Sequence, residues 1–278
     1  MAILIALDAG HGSNTAGKRT PKMHIDTDLA KAGEQIREHT ANVWVCKYAA
    51  DYLKKYGFDV YKSAWDDTNT ADDPDVPLNE RQTTIRKVKA TVSVSCHFNA
   101  YGNGNSFNAS SGIETLISVA DYELNGSRAL AEEIQERLCK LGRKDRGVKR
   151  ADLAMCKSRY MQTEASVLCE LGFMTNKDEA ALMGSKKYLK DCGHYIALGI
   201  YDFLTSKPKK TITSRNAKRD QILWLQVKLN LKGHQTPATG VWDKDTIKSV
   251  QAFWLEVKKA TCTGRTVNEE CIRLLSTS

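Results

Sequence analysis

The chain has no run of about 18 apolar residues, no Cys-x-x-Cys pair and, over its first 206 residues, no charge excess of either sign. The first absence excludes a membrane-spanning helix. The longest early apolar stretch, Ala2 to Leu7, also lacks the basic flank and the length of a secretory signal peptide, so the expectation is a protein made in a cytoplasm. The eight cysteines (Cys46, Cys96, Cys139, Cys156, Cys169, Cys192, Cys262 and Cys271) are scattered and mostly sit in apolar segments, which predicts reduced core residues rather than a disulfide framework. Only Cys262 and Cys271 are close enough to invite a bridge, and they too are read as unpaired. What is present is a globular composition: 278 residues, 41% hydrophobic and 27% charged, enough for a packed core and long enough for a second domain.

Periodicity divides the chain. Ile3 to Leu7 reads as a buried strand that breaks into the turn Asp8-Ala-Gly-His-Gly12. Apolar positions from Ala41 to Tyr56 recur at helical spacing, and Gly57 supplies the stop. Further strands are expected at Phe58 to Tyr61, Val92 to Cys96, Ile113 to Ser118 and Ser166 to Leu171. Helices are expected around Asn79 to Val88, Leu130 to Leu141 and Tyr188 to Phe203. Strands alternating with helices imply an α/β domain with a largely parallel sheet covered by helices. Residues 206–218 are polar and basic and read as a linker between a domain at 1–205 and a small all-α, three-helix domain at 219–278. Within the latter, Thr239 to Thr246 and Thr263 to Glu269 look like two copies of one turn-plus-helix unit.

The net charge of +8 is not spread evenly. Residues 1–206 hold 27 basic and 27 acidic side chains, whereas residues 207–278 hold 14 and 6, so 14 − 6 = +8 falls entirely on the tail. Such a patch favours a polyanionic partner: nucleic acid, anionic lipid or anionic wall polymer.

His11 follows the first strand in a glycine-bracketed turn, and His97 ends the strand at Val92 to Cys96. Sites in parallel sheets collect at the carboxyl ends of strands, so both imidazoles are expected on one rim. Glu38 lies near the start of the first long helix, and Glu170 is embedded in the apolar run Val167 to Phe173. A carboxylate in such a run is expensive unless it is paired or bound, and desolvation raises its pKa toward that of a general base. Two histidines and one glutamate make up the ligand set of a catalytic zinc, with the fourth position left for water.

Five blocks, taken in order, resemble the motif series of the zinc-dependent N-acetylmuramoyl-L-alanine amidases of the third type. They are Asp8-Ala-Gly-His-Gly12, Glu38 with Asn42, Ser95-Cys-His-Phe-Asn-Ala100, Gly112-Ile-Glu-Thr115 and Leu168-Cys-Glu-Leu-Gly-Phe-Met-Thr-Asn176. The resemblance covers most of residues 2–204. It implies a mixed, mainly parallel sheet flanked by helices, one Zn2+ bound by His11, Glu38 and His97, and Glu170 as the catalytic carboxylate. The chain departs from the pattern at Cys96 and Phe98 and by an insertion from Ser13 to Arg37, which leaves Glu34 as a rival to Glu38. The tail, with Leu225-Gln226, Gly233, Thr239-Gly240, Asp243, Thr246 and Val250 to Phe253, resembles a peptidoglycan-binding three-helix domain.

The resulting expectation is hydrolysis of the amide between N-acetylmuramic acid and L-alanine in bacterial peptidoglycan. Asn99 and Trp242 are candidate substrate contacts, and anionic wall polymers are candidate partners of the tail. Without a leader, the favoured context is a phage endolysin released through a holin; a bacterial autolysin of the same chemistry is the alternative. A wall glycosidase would need paired carboxylates, for which the loop from Asp66 to Asp75 offers the candidates, although a solvated structural loop explains it more cheaply. A nucleic-acid binder rests on the basic tail alone, without an aromatic-basic motif or zinc-finger spacing, and is not expected.

Overall fold

The structure is a computed structural model that describes residues 2–120 and 126–277. The chain divides into two compact units. One comprises Leu4–Tyr52 and Val60–Ile200; the other gathers the described residues from Tyr201 onward with Leu53–Asp59 and Ala2 and Ile3.

Wholly or mainly in the larger unit, β1 (Leu4–Ala9), α1 (Glu38–Tyr56), β2 (Asp59–Ser63), α2 (Leu78–Lys87), β3 (Val92–Asn99) and β4 (Ile113–Ser118) come first. They are followed by α3 (Ser127–Leu138), β5 (Asp145–Ala151), the short α4 (Ser158–Met161), β6 (Ala165–Phe173), α5 (Lys177–Met183) and α6 (Lys186–Leu204). The six strands form one sheet in the order β2-β1-β3-β6-β4-β5. β1 with β3, β3 with β6, and β4 with β5 are parallel; β4 runs antiparallel to β6. This is the mixed, mainly parallel sheet the sequence predicts. Almost every position along β3 and β6 is buried because helices cover both faces; β6 reads as a near-continuous apolar run, whereas β3 alternates apolar residues with the small buried Ser93 and Ser95. α1 ends where Gly57 adopts a φ of +90°, a conformation that relieves the terminal carbonyls without a Cβ penalty.

Two strands run longer than the sequence expectation, and two further elements, a strand and a helix, lack any sequence signal. β1 and β3 run on to Ala9 and Asn99, through residues assigned to turns, because parallel pairing continues beyond the apolar run. β5 has no sequence signal at all: Asp145-Arg-Gly-Val-Lys-Arg-Ala151 is a charged, partly exposed edge strand, and charge on an edge deters pairing with another chain. α5 is too short for its periodicity to register, and it starts because Asn176 Oδ1 accepts the Asp178 and Glu179 amides.

The smaller unit holds α7 (Arg219–Leu231), α8 (Lys244–Lys258) and α9 (Glu269–Ser276), as well as a two-stranded pair, β7 (Ile212–Thr213) with β8 (Thr266–Val267). The helices are the expected three, the two-residue β7–β8 pair accompanies them, and β7 falls inside residues 206–218. Ile212 and Val267 are buried in the small core with Trp224, Leu225, Phe253 and Leu275. Gln226, fully buried, clamps the turn before α8: its Nε2 donates to Thr239 Oγ1, Val241 O and Thr246 Oγ1, while its Oε1 accepts the Thr239 and Gly240 amides. The two expected turn-plus-helix units both form, with Gly240 and Gly264 at positive φ and Asp243 and Asn268 as N-caps of α8 and α9. All eight cysteines are free, Cys262 and Cys271 included. Among the described residues no helix is long and apolar enough to cross a membrane.

Candidate active site

His11, two residues past β1, Glu38, the first residue of α1, and His97, near the end of β3, converge at the carboxyl rim of the sheet. One ligand-type atom from each lies within 4.8 Å of the others, and the two imidazoles meet edge to face at 4.9 Å. Glu38 Oε1 accepts His97 Nδ1 at 3.0 Å and the Phe98 amide at 3.1 Å. Its Oε2 lies 3.3 Å from His11 Nε2 but has no hydrogen-bond donor, although it is buried. Burial pushes the Glu38 carboxyl up, yet the two histidines outweigh it and hold the group well below the usual carboxylate range. His97 is moved in the opposite sense: burial lowers its pKa, and Glu38 more than reverses that. The expected rival, Glu34, is exposed, with its carboxylate accepting the Lys31 amide within the inserted loop. That insertion is an excursion pinned by an antiparallel backbone β-bridge between Arg19 and Arg37 and by the buried Thr20, whose hydroxyl accepts the Ile36 amide.

A buried carboxylate oxygen without a donor, facing two imidazoles, is the arrangement a divalent cation relieves, and two His with one carboxylate is a donor set suited to zinc. The local backbone is built around these residues. His11 has a φ of +65°, strained for a residue with a Cβ. It is held there by Arg81 Nη2 on its own carbonyl and by His39 Nδ1 and Asn42 Nδ2 on the carbonyl of Gly10. Gly10 is needed for space: a Cβ there would lie 2.1 Å from His97 Cε1.

Arg81 is almost fully buried and uses all five of its N–H groups. Nε donates to Val76 O, Nη1 to Asp8 Oδ1 and Ala9 O, and Nη2 to His11 O and Asp75 Oδ1. This accounts for part of the aspartate-rich loop: Asp75 meets Arg81, and Asp73 meets His39 Nε2 at 3.1 Å. A cavity of about 320 Å³ opens beside the imidazoles, with Val76, Pro77, Leu78 and Met155 on its apolar side.

Glu170 pairs with His97 in the β3–β6 register and with Glu114 in the β4–β6 register, so the three occupy one row across the sheet. Its Oε2 is buried without a hydrogen-bond partner, and burial pushes its pKa up to about 8, with Glu38 and Glu114 adding to the rise and His97 and Lys18 opposing it. Glu114 differs: burial raises it, but Lys149 and Arg146 bring it below the ordinary value. Of the substrate candidates, Asn99 donates to Glu114 Oε1 at 3.1 Å, and Trp242, in the smaller unit, donates its indole N–H to Gly264 O at 3.0 Å. Sequence reasoning assigned no role to Arg81, His39 or Glu114. Glu114 carried a usable signal, since it too is a carboxylate in an apolar run, Ile113 to Ile117.

The fold is that of peptidoglycan amidases. The N-acetylmuramoyl-L-alanine amidase of Clostridium difficile 630 superposes with a TM-score of 0.59 at 27% identity, over 74% of this chain and 99% of that one. The chain belongs to the N-acetylmuramoyl-L-alanine amidase family, whose sequence model matches residues 5–202. It is 31% identical over 221 residues to the endolysin of Bacillus phage SPP1, covering 80% of this chain and 73% of that protein. It is 32% identical over 197 residues to the uncharacterised protein YqiI of Bacillus subtilis (strain 168), covering 70% of this chain and 82% of that protein.

Proposed function

We propose that this family member is a zinc-dependent endolysin that hydrolyses the amide between N-acetylmuramic acid and L-alanine. The observation that carries the reading is a protonatable carboxylate, Glu170, one strand from a His11–Glu38–His97 cluster whose buried Glu38 oxygen lacks a donor. His11, Glu38 and His97 hold the zinc, which when bound supplies Lewis acidity toward a carbonyl oxygen and toward water. Glu170 takes the proton of the attacking water and delivers it to the departing amide nitrogen; a pKa raised toward neutrality lets one group do both. The apolar wall of Val76, Pro77 and Leu78 seats the substrate beside the imidazoles and limits bulk water there.

Residues 1–205 are the catalytic domain in this proposal, 206–218 the linker, and 219–278 a wall-binding domain of peptidoglycan-binding type; the +5 of the linker and the +3 of that domain together attract anionic wall polymers. The phage context, with holin-type release, draws on the SPP1 endolysin likeness. Digestion of purified peptidoglycan should release new amino termini and no reducing ends, stop on chelation and resume with zinc. Glu170→Gln should keep its metal and lose turnover; full activity in that variant, or reducing-end release by the wild type, would overturn the assignment.

A further inference from the structure

The register between β4 and β5 slips beside the site. Ile113 faces Asp145 and Thr115 faces Val148, so β5 spends one residue more than β4 over the same span, with Gly147 at a φ of +74°. Such bulges re-aim side chains. Here Arg146 reaches Glu114, its Nε donating to Oε2 at 2.6 Å, while its guanidinium carbon sits 4.9 Å from the centroid of the Phe173 ring. Glu114 does not need this second cation: Lys149 Nζ also bonds Oε2, and Asn99 Nδ2 bonds Oε1. One positive charge is left over, and both Nη nitrogens of Arg146 hydrogen-bond nothing among the described residues, on a side chain 28% exposed. An arginine anchored by its Nε and its flat face presents a fixed, empty fork, matched to a planar carboxylate.

Glu114 stands directly opposite Glu170, and adjacent strands are about 4.8 Å apart. Successive residues of a peptide are spaced about 3.8 Å apart at Cα, so a substrate cut at the L-alanine nitrogen beside Glu170 carries its next residue about as far as that row extends. We propose that the Arg146 fork, supported by Glu114 and Lys149, is a carboxylate subsite that reads the free carboxylate of the residue following L-alanine in the stem peptide. The proposal rests on the amidase reading and adds a substrate feature to it. A stem in which that carboxylate is amidated would present an N–H₂ donor to a fork made only of donors, so the subsite discriminates acid from amide.

The test compares cleavage of N-acetylmuramyl-L-alanyl-D-isoglutamate with that of its isoglutamine counterpart by the full-length, zinc-loaded protein, Arg146→Gln and Arg146→Lys. Wild type should favour the acid by roughly tenfold in kcat/KM, carried by KM. Arg146→Gln should bring the two substrates near parity, and Arg146→Lys, which keeps the charge and loses the fork, should recover only part of the preference. Equal use of both substrates by the wild type overturns the subsite without needing any variant to fold. A preference that survives in Arg146→Gln overturns the assignment to this arginine. Failure of the wild type to cut either substrate would instead sink the amidase reading.

Discussion

Gly10→Ala tests whether the imidazole cluster is held by space as much as by ligand chemistry. The added Cβ would lie 2.1, 2.3 and 2.5 Å from Cε1, Nε2 and Nδ1 of His97. Ordinary contact begins near 3.4 Å, so the ring must retreat by 3.4 − 2.1 = 1.3 Å. Retreat strains its bond to Glu38, 3.0 Å from Nδ1, and shifts a proposed ligand by several times the roughly 0.2 Å tolerance of a metal site. Overpacking of this kind costs about 1–3 kcal/mol, against a total stability of order 5–15 kcal/mol, so the protein should still fold. Zinc affinity, measured by chelator competition, should fall about 100-fold or more, with amidase activity falling alongside, while far-ultraviolet circular dichroism is retained. Gly33→Ala is the control: that glycine has a φ of +89° but open space around it, so the variant should lose stability and keep its zinc. Unchanged zinc affinity in Gly10→Ala would refute the packing argument.

Two further outcomes follow from the same structure. Arg81→Met leaves Asp8 as a buried charge facing only the Ser63 and Ser95 hydroxyls and strips donors from the Ala9, His11 and Val76 carbonyls, so urea unfolding should show a loss of about 3–5 kcal/mol. A loss below about 1 kcal/mol would show that the guanidinium is not the organising group. Reversing Lys207, Lys209 and Lys210 to glutamate takes the net charge from +8 to +2, since each reversal removes two charges. Lysis of intact cells, followed by turbidity across a salt series, should weaken and lose its salt dependence while cleavage of a soluble fragment stays constant; undiminished lysis would separate the tail's charge from wall targeting.

The parts of this molecule that were legible in its sequence are those where one physical demand dominates. Burial on both sheet faces makes β6 apolar enough to find, the alternating valines mark β3, and the cost of a carboxylate in an apolar run marks Glu170. The rim position of His11 and His97 follows from where parallel strands end. By contrast, β5 is held by a neighbour on one side and by water on the other, so its residues carry no period. Arg81 looks like any charge on a polar helix, because its five partners come from β1 and the loops on either side of it. The left-handed turn at His11 is likewise imposed by contacts distant in sequence, and the spacing of glycines hints at it without fixing it.

The reversed direction of β4 has a consequence for how this site can diversify. Because that strand enters the sheet against its neighbour β6, Glu114 lies at its beginning, directly after the Gly/Asn/Ser-rich loop of residues 102–111, whereas His97 and Glu170 lie near the ends of their strands. The single connection between β3 and β4 therefore leaves the strand end that carries His97 and enters the strand start that carries Glu114, and its Asn108 also bonds Thr175 and bridges Asn176 beyond β6. Lengthening or exchanging the 102–111 loop acts on the end of β3 as well as on the start of β4, so a change that redraws the proposed substrate flank also bears on the strand end that carries His97.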